Sequence, residues 1–344
     1  MERRELGLSQ VKRRSAIQPA LLAVIALLLP HAGRLDAQAR TTDSVPKGEA
    51  RQVVDTLFVP KHRLPPAYRP ASGPIVMIDE AHHNFHTVSG RYRPFAKLLG
   101  ADGYRVVASR ARLDSVSLSQ GRVLVIANAL DERNEQIANW RLPALSAFQP
   151  DEIAAVASWV RRGGSLLLIA DHMPFAGAAS DLAEALGIHF ANGFALWGEV
   201  DPRTGDYPIV YARSNGTLLD HAITRGRTSA ERIDSLESFT GSALWVGGTR
   251  PGAIMALPRK TRVMLPVVAW QFSDSTARLS GDGLLQGAAI RFGSGRVAVF
   301  GEAAMFSAQR KGVDGIPMGM NAPSASQNPQ FILNVLHWLT GLIK

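Results

Sequence analysis

The chain of 344 residues contains no cysteine. That one absence excludes disulfide staples, thiolate metal ligands and a thiol nucleophile, so stability has to come from a core of ordinary size. Charge of one sign is not concentrated either: the net charge is +9, yet after residue 39 Lys and Arg never run beyond pairs such as Arg161-Arg162. Without a basic stripe or a nucleic-acid motif, the charge reads as a solvated surface and nucleic acid is not an expected partner. No G-x-S-x-G elbow, no G-x-G-x-x-G turn, no Walker loop and no H-E-x-x-H pair occurs, which removes the nucleophile-elbow hydrolases, the dinucleotide folds and the zincins. There is no internal repeat and only one long apolar run.

That run, residues 16–29, follows Arg3, Arg4, Lys12, Arg13 and Arg14 and precedes Ala37-Gln38-Ala39. A basic region, a short apolar segment and an A-x-A site in this order predict a secretory signal peptide over residues 1–39, cleaved before Arg40. The apolar part is short for a membrane span. Arg13-Arg14 faintly suggests the twin-arginine route, although the residues after the pair match it poorly. The expected product is exported, periplasmic or secreted, with no membrane span after cleavage. Cleavage leaves 32 basic residues against 26 acidic ones, a net charge of +6.

Residues 40–73 carry Pro46, Pro60, Pro65, Pro66 and Pro70 with little periodicity and read as a linker or strap. From residue 74 the pattern becomes that of one α/β domain. Strands are expected at 74–78, 104–108, 123–127 and 165–170, and helices at 91–99, 150–160 and 178–186. Alternation of this kind predicts a doubly wound, mostly parallel sheet with helices on both faces. Residues 188–290 read as an inserted segment of antiparallel β character, with strand candidates at 209–211, 253–257 and 267–272. Residues 286–291 and 296–300 flank Gly293-Ser294-Gly295 as a hairpin, and Asn328-Pro329 opens a last amphipathic helix.

The first strand runs into the densest set of chemical groups in the chain. In PIVMIDEAHHNFH, one Asp, one Glu and three His occupy the eight residues from Asp79 to His86. In open α/β sheets ligands bind outside the carboxyl ends of the strands. That edge is expected to gather Asp79, Glu80, His82, His83 and His86 from the first strand, Asn128 from the third, Asp171 and His172 from the fourth, and Glu302 from the last. Imidazoles and carboxylates together suit a divalent metal, zinc, manganese or iron, which lowers the pKa of a bound water. The same residues also suit plain structural duties, with His donating to backbone carbonyls and Asp or Asn capping the next helix. His337 reads as structural, His189 lies near a strand start with no partners in view, and Asp220-His221 reads as a turn with a satisfied His, with orienting a ligand as the alternative.

The succession IVMIDEAHHN, VLVIAN, WVRRGGSLLLIADH, LLDHAITRG, GRVAVFGEAAMFS and NPQFILNVLHWLTG resembles the class I glutamine amidotransferase-like superfamily. It is most similar to uncharacterised bacterial proteins resembling soluble domains of gliding-motility-type ABC transporter components; trehalose-utilisation-like proteins also resemble it. The resemblance covers roughly residues 74–186 and 286–342. It implies a flavodoxin-like sheet with a sharp turn after the fourth strand, where the amidotransferases carry a catalytic Cys. Here the turn is Ala170-Asp171-His172-Met173, so the family's thiol chemistry is excluded.

Two functional readings follow. One is a non-catalytic domain of the cell envelope that binds a small polar or carbohydrate-like ligand. The other is a metal-assisted hydrolase of such a compound, with Asp79, His82, His86 and His172 as ligands and Glu80 or Asp171 as general base.

Overall fold

A computed structural model describes residues 52–60, 64–200, 205–247 and 252–344. The expected signal peptide lies outside the described residues. Among the described residues no helix is long and apolar enough to cross a membrane.

The strands in chain order are β1 (Gln52–Val54), β2 (Ile75–Asp79), β3 (Arg105–Ser109), β4 (Val123–Ala127), β5 (Ser165–Ile169), β6 (Ile188–Ala191), β7 (Phe194–Leu196), β8 (Ile209–Ala212), β9 (Ser235–Ser238), β10 (Ala243–Val246), β11 (Ala253–Ala256), β12 (Arg262–Leu265), β13 (Ala277–Ser280), β14 (Leu285–Phe292), β15 (Gly295–Phe300), β16 (Ala308–Lys311) and β17 (Ile316–Gly319). The helices are α1 (Arg93–Ala101), α2 (Ser115–Leu118), α3 (Pro150–Arg161), α4 (Phe175–Ala178), α5 (Ser180–Glu184), α6 (Ala222–Arg225) and α7 (Asn328–Thr340).

The main sheet has nine strands in the order β3-β2-β4-β5-β15-β14-β10-β6, with β11 also on β14. β3, β2, β4, β5 and β15 are parallel, and β14, β10, β6 and β11 add in antiparallel fashion. The sheet is therefore mixed rather than mostly parallel, because the hairpin β14–β15 turns the chain back and three further short strands pair on its outer side. Every residue of β4 and β5 is buried, as expected of parallel strands covered on both faces.

Alternation along these strands feeds two cores. Val76, Ile78, Val123, Val125, Leu167 and Ile169 pack with Phe95, Leu98 and Leu99 of α1 and Phe331, Val335 and Leu336 of α7. Met77, Leu124, Ile126, Leu166 and Leu168 face the other way, onto Val156 and Val160 of α3 and Leu182 of α5. Each fully buried side chain of this size contributes roughly 1.5–3 kcal/mol of transfer free energy. α3 starts where Pro150 occupies the first turn and the Gln149 N–H donates to Glu152 Oε2 at 3.0 Å. α7 stops at Gly341, whose φ of 88° a β-carbon would penalise. Its inner face is pinned by His337 Nε2, 2.7 Å from Asp102 Oδ2, with both side chains buried.

Two expected elements differ. The helix expected at 178–186 is two short helices, α4 and α5, broken at Ala179. Residues 267–272 form no strand; their strand-type pairing among the described residues is a single bridge, Arg141 to Val268. Trp270 there has a φ of 64°, which no strand residue adopts. Of the residues read as a linker, Gln52–Val54 pairs with β16.

Candidate functional site

The carboxyl ends of β2, β4, β5 and β15 meet along one edge, but their polar residues divide into separate groups. Asp79 is fully buried and accepts from His82 Nδ1 at 2.9 and 3.0 Å, from Asn84 Nδ2 at 2.9 Å and from the Ala81 N–H at 3.2 Å. The opposite ring nitrogen, His82 Nε2, stands 3.3 Å from Glu152 Oε1 of α3. Burial alone would lower the His82 pKa, yet the Asp79 hydrogen bond and the charges of Asp79 and Glu152 outweigh it and hold it above 6.5. Burial pushes the Glu152 carboxyl up, while the N–H groups of Gln149 and Leu113 and the His82 ring pull it down to a net lowered value. His82 is thus clamped between two carboxyl groups, with both ring nitrogens occupied and the protonated form favoured.

The neighbours of His82 diverge. Glu80 accepts the Val88 N–H at 2.8 Å and pairs with Arg110 at 2.9 Å, which ties up both of its oxygens. His83, with φ of 45°, turns outward to Glu135 at 3.4 Å. It joins Glu80, Asn84, Phe85 and Gln136 in lining an open polar groove of about 510 Å³. His86 points inward and is only 3% exposed. Among the described residues neither of its ring nitrogens has a hydrogen-bond partner. Burial and the nearby Arg91 charge hold its pKa well below 6.5.

The second group lies at the ends of β4, β5 and β15. Asn128 takes a left-handed φ of 51°, which Asn tolerates, and its Oδ1 accepts the Asp171 N–H at 2.9 Å. Asp171 in turn accepts the His172 N–H at 2.8 Å and the Ala303 N–H at 3.3 Å. Glu302 receives the N–H groups of Ala304 and Met305, each at 2.7 Å. Its carboxyl is nevertheless held well above the usual range, first by complete burial and next by the charge of Asp171.

His172 Nδ1 lies 2.7 Å from the Met173 carbonyl, so that nitrogen carries the proton and Nε2 is left as an acceptor. The ring stacks on Phe194 at 4.7 Å and 12°, meets Trp270 edge-on at 4.8 Å and touches Trp140 and Phe175 at 5.9 and 5.7 Å. Phe272 closes on Phe194 from the far side at 5.2 Å. The segment presenting Trp270 is tied back by two hydrogen bonds, Ala269 N–H to the Trp140 carbonyl and Leu142 N–H to the Val267 carbonyl, both 2.8 Å. Trp270 remains 37% and Phe272 38% exposed. The result is a partly open aromatic wall with one imidazole set into it.

The four residues expected as metal ligands are thereby distributed over three environments. Asp79 and His82 face each other, His86 sits against Arg91, and His172 stands in the aromatic wall. Among the described residues no group of three or more His, Asp or Glu is placed to hold a metal ion. Glu152, Trp140, Phe194 and Trp270 were not among the sequence candidates. Glu152 reads locally as a helix-capping acid, and the three rings come from segments whose sequence has no periodicity that would join them.

No protein-family model matches the chain and no curated protein matches it. Solved structures similar in outline include the mmIFT52 N-terminal domain, at 14% identity and TM-score 0.48, covering 77% of this chain and 97% of that one. A ThuA-like protein from Bacteroides uniformis matches at 11% identity and TM-score 0.40, covering 82% of this chain and 95% of that one. A cytoplasmic protein from Salmonella typhimurium LT2 matches at 15% identity and TM-score 0.41, covering 77% and 98%. ThuA-like proteins are thus among the structural neighbours, and none of these three names carries the narrower likeness to gliding-motility components.

Proposed function

We propose that the protein is a non-catalytic binding domain for a carbohydrate-like ligand, seated at the aromatic wall around His172. The observation that carries this is Trp270, 37% exposed, with its ring centre 4.8 Å from that of the half-buried His172. A sugar ring offers C–H groups for an aromatic ring and hydroxyls for an imidazole, which is the complement of this surface. A bulky residue at positive φ costs on the order of 1–3 kcal/mol, and such strain gathers at ligand sites. The amidotransferase-like, flavodoxin-like reading of the fold is supported by the five parallel strands β3-β2-β4-β5-β15 and by helices on both faces. A place in the cell envelope is supported by the leader-like pattern of residues 1–39.

A metal-assisted hydrolase would need Asp79, His82, His86 and His172 to converge, and their separate partners speak against it. The test is tryptophan fluorescence and thermal shift against a panel of oligosaccharides, with and without a chelator. Saturable binding that survives the chelator and is lost in Trp270→Ala is expected. Binding that needs added zinc, manganese or iron, or that is unchanged in Trp270→Ala, would overturn the proposal.

A further inference from the structure

His86 and Arg91 form a feature that the aromatic wall does not use. The Arg91 guanidinium lies 3.9 Å over the Phe85 ring, and its Nε is buried without a partner. Nη2 reaches only the Gln52 carbonyl, at a long 3.4 Å. Burial draws its pKa down to about 10, and no acidic group counters that effect. His86, 3% exposed, carries two further ring nitrogens without partners. Its ring packs at 4.6 Å on Tyr92, the residue that precedes α1. The first N–H groups of α1 are already used, Tyr92 donating to the Thr87 carbonyl and Arg93 to the Gly90 carbonyl, and Pro94 has none. A guanidinium and an imidazole are thus left with no acidic partner for either among the described residues, and a buried cation without a counterion is unfavourable.

We propose that His86 and Arg91 form a binding site for a phosphate-class oxyanion, either free phosphate or the phosphoryl group of a monoester. Arg supplies a planar fork that fits phosphate oxygens, and the imidazole adds a donor from another direction. A cation is the wrong occupant, since Arg91 would repel it.

The test is thermal shift of the full chain in chloride buffer of matched ionic strength, titrated with inorganic phosphate in one arm and a sugar phosphate monoester in the other. A saturable rise of about 5 °C is expected in at least one arm, and the arm that responds identifies the source. Arg91→Met is expected to melt no lower than the parent without phosphate, because it removes an unpaired cation, and to lose the response. His86→Phe is expected to raise the half-saturating concentration about tenfold or more. If Arg91→Met fails to fold, His86→Phe carries the comparison. No saturable rise in either arm, or a rise that survives the substitutions, would overturn the proposal.

Discussion

Replacing His82 by Leu keeps most of the side-chain volume against Phe148, whose ring centre is 4.8 Å away, and deletes both charged hydrogen bonds. Asp79 and Glu152 are then two buried carboxylates without their shared cation. Breaking a buried pair in this way costs about 3–5 kcal/mol. Asp79 retains Asn84 and the Ala81 N–H, and Glu152 retains the N–H groups of Gln149 and Leu113 and, at 3.5 Å, the Arg112 guanidinium. The low end, about 3 kcal/mol, is therefore expected, or a fall in Tm of roughly 4–5 °C for a chain of this size. The pH dependence has a definite sign. Because the folded pKa of His82 is raised above 6.5, its contribution is fully present below the unfolded value and is lost as pH rises through the folded value. Melting of parent and variant followed by circular dichroism from about pH 5.5 to 9 is expected to show a gap that narrows as pH rises. A variant that melts with the parent throughout would refute the clamp. So would a gap that widens with pH. A His82 serving as a ligand at an open strand end would produce the first of those results.

Two other substitutions test the same physics elsewhere. Glu302→Gln removes a carboxyl held above its usual range by burial and Asp171. A raised acid contributes stability below its unfolded pKa that is lost as pH rises through the folded one, so the variant should gain on the parent between acid and alkaline pH. A difference in Tm that does not move with pH would count against that coupling. His337→Leu leaves Asp102 buried with only the Ala67 N–H. A fall of about 3 kcal/mol in unfolding free energy, read from the urea midpoint, is expected, and an unchanged midpoint would show that the pair is dispensable.

Much of the frame was legible in the residues. VLVIA and SLLLI read as covered parallel strands, since a nearly pure apolar run bounded by turn residues has no polar face to give to water. Gly293-Ser294-Gly295 marked its hairpin, and Pro150 with Glu152 marked the start of α3, because turn and cap chemistry is settled within a few residues. The crowding of Asp79 to His86 at a strand end was equally plain. The tertiary structure alone decided what those groups do. His82 meets Glu152 from 70 positions away, and that partner turns a candidate ligand into half of a buried charge clamp. His86, four residues further on, faces a cation rather than an acid. The wall around His172 is assembled from Trp140, Phe194 and Trp270, which share no local pattern. Local preference acts over one turn or one pleat. The pairing of charges and the stacking of rings depend on where distant strands set the chain down, and that path is determined by the packing of the whole sheet.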